Sequence, residues 1–192
     1  MPAQETPVGG RGARERIRRA AAELFYRHGI HATGVDLLIR HAHVSKRTFY
    51  QHFSRKTELV EDYLRGIDER GGSPMERRLD LVELTPRDRL LAVFEAKPSG
   101  RLRGCPFHNA AVESAGELPG VDELVRAHKQ RFAQRLATVA LEAGARDPYL
   151  LGNQLAVLFE GATALATSLN DSAPLLHARS VAADLIDAAV AA

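Results

Sequence analysis

The sequence predicts an all-α protein: an N-terminal three-helix head followed by a helical bundle. Three observations lead there. Apolar residues recur at helical spacing from Ile17 almost to the C-terminus. Gly and Pro fall mostly between these periodic segments, where they punctuate the chain. No stretch shows the strict alternation of a half-buried strand.

The elements follow in order. "ARERIRRAAAELFYRHG" places Ile17, Ala21, Leu24, Phe25 and His28 on one face, and Gly29 is suited to end the helix. Thr33 is expected to cap a short helix carrying Val35, Leu38, Ile39 and Ala42. Ser45 is expected to cap another, carrying Phe49 and Phe53. "RKTELVEDYLRGIDE" repeats Leu59, Val60, Tyr63, Leu64 and Ile67 at helical spacing. "RGGSPMER", residues 70 to 77, is a break. Thr85-Pro86 starts a helix with a capping hydroxyl and a first-turn proline, and "KPSGRLRG" ends it. Pro106 opens "PFHNAAVESAG", and a long amphipathic helix then runs to the neighbourhood of Gly144. "DPYLLGNQLAVLFEGATALATSLN" is apolar over most of its circumference, and "APLLHARSVAADLIDAAVAA" closes the chain. The domain reading is a disordered lead-in over residues 1–10, a head over 11–56 and a second domain over 57–192.

Charge divides along the same line. Residues 1–56 hold 11 Lys and Arg against 4 Asp and Glu, whereas residues 57–192 hold 15 against 20. A basic head on a mildly acidic remainder is the footprint of a protein whose first part meets a polyanion. No apolar run approaches the ~20 residues needed to cross a bilayer. The first residues lack the apolar core of a signal peptide. The single cysteine, Cys105, cannot form an intrachain disulfide. The expected location is cytoplasmic, with no membrane partner.

Three short helices within 53 residues, the last two joined by a tight turn, have the layout of a helix-turn-helix DNA-binding unit. With Val35, Leu38, Ile39, Val44, Phe49 and Phe53 packed inward, Lys46, Arg47, Thr48, Tyr50, Gln51 and His52 are left for the outer face. Those side chains suit base edges and phosphates of a major groove. Ser45 and the amides at the helix start can hold a phosphate as well.

The stretch "AAELFYRHGIHATGVDLLIRHAHVSKRTFYQHFSRKTELV" resembles the N-terminal domain of the tetracycline-repressor (TetR) family of transcriptional regulators. Phe25, Gly29, Thr33, Ala42, Val44, Ser45, Thr48, Phe49, Tyr50, His52, Phe53 and Lys56 occupy the motif positions. The resemblance implies a sequence-specific, ligand-responsive regulator, a repressor released from its inverted-repeat DNA operator by a small molecule. It implies that Thr33 meets the DNA backbone, that Lys46, Arg47 and Thr48 face base edges, and that Tyr50, His52 and Lys56 grip phosphates. Arg14 and Arg18 are further candidates for backbone contact. The chain departs from the pattern in two places. His43 stands where Gly usually provides a left-handed turn, and Arg47 stands where many relatives have Gly.

The second domain is expected to bind an effector and to dimerise. Residues 149–169 are apolar all round and, with the last helix, should pack against the same pair from a second chain. The alternative is that these are inner helices of a monomeric bundle. Candidate pocket residues are Phe94, Cys105, Phe107, His108, Phe132 and Phe159. Cys105 could instead act as a redox sensor, with Arg101 and Arg103 lowering its pKa, and this is the alternative functional reading. Rival classes carry less. His28, His31, His41, His43 and His52 lack the converging carboxylates or cysteines of a metal site. Cys105 with His108 lacks the third partner of a catalytic triad, so no catalytic residue, metal or cofactor is assigned. A basic head that binds membrane or RNA would show no preference among duplex sequences.

Overall fold

The computed structural model describes residues 12–95 and 102–191. The expected lead-in over residues 1–10 lies outside the described residues, and so does Arg101. Among the described residues the regular structure is helical. The helices are α1 (Ala13–His28), α2 (Val35–Ala42), α3 (Lys46–His52), α4 (Lys56–Asp68), α5 (Pro86–Ala92), α6 (Pro106–Ser114), α7 (Pro119–Glu142), α8 (Pro148–Leu169) and α9 (Ala173–Val190). A 3-10 turn at Glu76–Asp80 lies between α4 and α5.

Two compact units result, and the first is not continuous in sequence. It runs from the N-terminus to Ile67 and adds Pro106–Val125; the second comprises Asp68–Cys105 and Arg126–Ala192. Sequence reading ends the head at residue 56, but the first unit carries on through α4 because Leu59, Val60 and Leu64 are fully buried.

The core of the first unit is the inward face predicted from spacing. Ile17, Ala21, Leu24 and Phe25 of α1 are buried, as are Leu38, Ala42, Val44, Phe49 and Phe53. Phe49 and Phe53 lie 6.2 Å apart, and Tyr63 meets Phe25 edge-on at 5.6 Å. Val35 and Ile39 are only half-buried. The tight turn forms as expected: His43 adopts φ 51° and ψ 49°, and its N–H bonds back to Arg40 O. Histidine bears this left-handed conformation better than bulkier residues.

In the second unit Phe94, Phe132, Leu136, Leu151, Leu155 and Phe159 form the centre, joined by Ala182 and Ile186 from α9. Thr85 caps α5 by accepting from Asp88 N–H, with Pro86 in the first turn. Asp147 caps α8 in the same way through Leu150 N–H. A short link at residues 170–172 folds α9 back to pack on α8. Gly152 allows α8 to approach α7 closely, since a Cβ there would sit 2.7 Å from Ala137 N. The fully apolar circumference expected of α8 resolves into an inner face and an outer stripe. Leu150, Val157, Leu165 and Leu169 are exposed.

Candidate nucleic-acid interface

Ser45 organises the start of α3. Its Oγ accepts from Thr48 N–H at 3.0 Å and lies 2.8 Å from Thr48 Oγ1. Phe49 is turned wholly inward. Lys46, Arg47, Tyr50, Gln51 and His52 are therefore exposed on the other side, while Ser45 and Thr48 are half-buried. No acidic side chain occupies the first turn of α3, and two cations do. Cations at a helix N-terminus oppose the helix dipole locally. The arrangement makes sense as a concentrated positive potential presented outward.

Four of the expected DNA contacts also bond within the chain. Thr33 is fully buried, and its Oγ1 donates to Gly29 O at 2.7 Å and Leu24 O at 3.3 Å. Gly34, not Thr33, is the N-cap of α2, and the Thr33 hydroxyl stitches the α1–α2 turn. Lys56 donates to Ile30 O at 2.7 Å. Burial lowers its pKa, against the opposing charge of Glu113. Arg14 and Arg18 both pair with Asp62, at 2.9 and 2.7 Å, and tie α1 to α4.

A further residue fixes this turn from far along the chain. His31 N–H donates to Glu113 Oε2 at 2.8 Å, and the His31 ring bonds Glu113 O. Gly29 has φ 93°, and a Cβ there would lie 2.9 Å from Glu113 Oε1. Glu113 lies in the last turn of α6, so α6 clasps the entry to the reading helices. Spacing gave no signal for it, since 82 residues separate the partners. Glu113→Ala is expected to speed hydrogen exchange at the His31 amide by roughly tenfold to a hundredfold, the equivalent of about 1–3 kcal/mol for a charge-assisted bond. Unchanged exchange at His31 would mean that the clasp does not hold in solution.

In the second unit, Phe94 and Phe132 both pack against Phe159, with centroids 6.1 and 5.1 Å away. These three expected pocket residues fill the core. Phe107 is buried and His108 half-buried on α6, in the first unit. A recess of about 150 Å³ opens beside Phe132 among Asp68, Asp80, His128, Arg131 and Arg135. None of these charged groups stands out individually in the sequence. The usable signal was the i, i+3, i+7 spacing of His128, Arg131 and Arg135 along one face of α7. Cys105 is buried, and Lys129 Nζ on α7 donates to its Sγ at 3.3 Å. The sequence reading expected Arg101 and Arg103 there; Arg101 lies outside the described residues.

Residues 17–63 match the model of the tetR family of bacterial regulatory proteins. The likeness extends along the chain. A TetR transcriptional regulator from Streptomyces avermitilis is 30% identical, with 92% of this chain and 97% of that one covered and a TM-score of 0.73. This chain belongs to the TetR family. A second TetR-family regulator, from Streptomyces coelicolor, is 28% identical over 93% of this chain and 90% of that one, with a TM-score of 0.79. The HTH-type transcriptional regulator TcmR of Streptomyces glaucescens is 30% identical over 125 residues, 65% of this chain and 49% of that one. The HTH-type transcriptional activator FasR of Mycolicibacterium smegmatis is 40% identical over 65 residues, 29% of this chain and 30% of that one. The chain thus matches half or less of the length of these two curated relatives. TetR-family regulators bind DNA and dimerise. Among the described residues, no helix is long and apolar enough to cross a membrane. No group of three His, Cys, Asp or Glu could hold a metal among those residues either.

Proposed function

We propose that this TetR-family protein is a cytoplasmic homodimeric repressor. It binds an inverted-repeat operator through α3 and leaves it when a small effector binds the second unit. One observation supports this reading above others. The buried Phe49 fixes the rotation of α3 so that Lys46, Arg47, Tyr50, Gln51 and His52 all face outward together. Arg47 is positioned to read a guanine edge or a phosphate, and Tyr50 and His52 to donate to phosphate oxygens. Dimerisation through α8 and α9 sets two such helices about one DNA turn, ~34–36 Å, apart. An effector that favours a more widely spread dimer weakens binding in proportion to that preference. The FasR relative is named an activator. Whether DNA binding represses or activates depends on where the operator lies.

The direct test is titration of the protein against DNA upstream of its own gene and neighbouring genes, over a range of salt. A steep salt slope with preference for an inverted repeat supports the reading. Equal affinity for random duplex sinks it. Tyr50→Ala is expected to weaken operator binding about tenfold, or ~1.4 kcal/mol, and to leave the thermal midpoint nearly unchanged. Arg47→Ala separates two roles. Loss of a guanine contact relaxes specificity at one base pair by about 1–3 kcal/mol, whereas loss of a phosphate contact weakens all sequences alike and lowers the salt slope by about one.

A further inference from the structure

We propose that the recess beside Phe132 binds a small aromatic carboxylate, whose charge is held by the guanidiniums of Arg131 and Arg135. Both arginines rise from α7 one helical turn apart, so they border the same opening. The recess measures about 150 Å³, the room that one benzene-sized body needs. Phe132 forms its apolar side, and that ring is itself backed by Phe159 at 5.1 Å. A flat ring seated against Phe132 would carry a carboxylate at its edge toward the two cations.

The sign of the ligand follows from which groups keep bonding capacity. Asp68 has both oxygens engaged, Oδ1 with His128 at 2.8 Å and Oδ2 with Arg131. Glu76 is likewise taken, by His128 through Oε1 at 3.2 Å and by the Ser73 amide through Oε2. Among the described residues Arg131 donates only through Nη2, which leaves Nε and Nη1 for another acceptor, and its side chain is 53% exposed. Arg135 is anchored by the carbonyls of Gly71 at 2.9 Å and Glu76 at 3.3 Å, which hold its guanidinium at the recess. It also meets Asp80, whose two oxygens share the single Nη2 at 3.0 Å each. That is not the two-nitrogen fork that makes Arg–carboxylate pairs strong. Asp80 is also 62% exposed, so it can turn to water at little cost and leave Nη2 to an incoming carboxylate. A cation would find only Asp80, with two guanidiniums beside it to repel the charge.

This names the chemistry of the effector in the reading above and rests on that reading for its effect on DNA, though not for the binding itself. Arg131 holds Asp68, the last residue of α4, and the same helix carries Leu59, Val60 and Leu64 in the core of the first unit. A carboxylate that draws on Arg131 competes with Asp68 for it and loosens that end of α4.

Titration calorimetry of the full-length protein with benzoate tests the site. Benzyl alcohol, similar in size but uncharged, should bind about tenfold to a hundredfold more weakly than benzoate, the worth of a charge-assisted hydrogen bond. Benzylamine should not bind. Arg131→Gln should weaken benzoate by the same factor. Asp80→Asn gives the sharper sign: it removes the internal competitor, so benzoate should bind about twofold to fivefold more tightly. Thermal melts check both folds, and the comparison of three ligands on the wild type stands without the variants. No benzoate binding, equal affinity for benzyl alcohol or benzylamine, unchanged affinity in Arg131→Gln, or unchanged or weaker binding in a folded Asp80→Asn each overturn the site. Operator affinity should fall about tenfold at saturating benzoate. Benzoate that binds and leaves operator affinity unchanged overturns the effector role. Absence of operator binding without benzoate would instead defeat the regulator reading and leave the site standing.

Discussion

Replacing Val157 and Leu165 together by glutamate is expected to give a folded monomer whose operator affinity is lower by about 10²–10⁴-fold. Both side chains stand out from the chain, with Val157 74% and Leu165 51% exposed. They lie on the stripe that also carries Leu150 and Leu169, and Leu176 and Val181 continue the exposed apolar surface on α9. An exposed glutamate in an isolated chain changes stability by only a few tenths of a kcal/mol. Buried without a partner across a symmetric interface, it meets its own copy and cannot be desolvated cheaply. The variant therefore distinguishes the interface from the fold. Sedimentation or light scattering reports the oligomer, circular dichroism reports the helices, and DNA titration reports the consequence. A single head keeps its contacts to one half-site but loses the second as an intramolecular event, and that loss sets the expected size of the effect. A double variant that remains dimeric moves the interface away from α8.

The helices near the N-terminus were legible because their signals are local. Ser45 three residues before Thr48, His43 at the left-handed turn, and the spacing of Leu24, Phe25, Phe49 and Phe53 are all decided within a few residues. Thr33 shows where local reasoning stops. A capping residue stood at the right place, but Gly34 took the cap and the threonine hydroxyl turned back to the carbonyls of Leu24 and Gly29. The polar sites of greater consequence are long-range. Glu113 meets His31 across 82 residues, and Lys129 meets Glu160 across 31. No periodicity encodes such meetings. Nearness in sequence gave no sign that Lys129 of α7 stands 3.3 Å from Cys105. The phenylalanines are ambiguous for a related reason. Residue type alone does not separate a ring that lines a cavity from one that fills a core: Phe94, Phe132 and Phe159 all pack in the core, and Phe132 also borders the recess.

Removing His128 is expected to cost about 3–5 kcal/mol at neutral pH, because it leaves a buried carboxylate without its main partner. His128 is almost wholly buried, with Nδ1 2.8 Å from Asp68 Oδ1 and Nε2 3.2 Å from Glu76 Oε1. Glu76 is itself fully enclosed and also accepts from Ser73 N–H at 2.5 Å. Burial pushes the Glu76 pKa up, but the His128 hydrogen bond and charge and the Ser73 amide outweigh it, and the net shift is downward. The sign for the native protein follows. A carboxylate whose folded pKa is depressed contributes stability above its unfolded pKa, and that contribution fades as pH falls through the folded value. In His128→Leu the largest favourable partner is gone while the burial stays. The Glu76 pKa should then rise, and the carboxylate destabilises the fold wherever it remains ionised. The penalty is therefore largest near neutrality and shrinks as acid protonates Glu76. Denaturant melts of both proteins at neutral pH and in mild acid measure it directly. The gap between them should narrow toward acid, and Glu76→Gln in the His128→Leu background should recover part of the loss at neutral pH. An equal loss at both pH values would assign the effect to the packing of the imidazole ring alone.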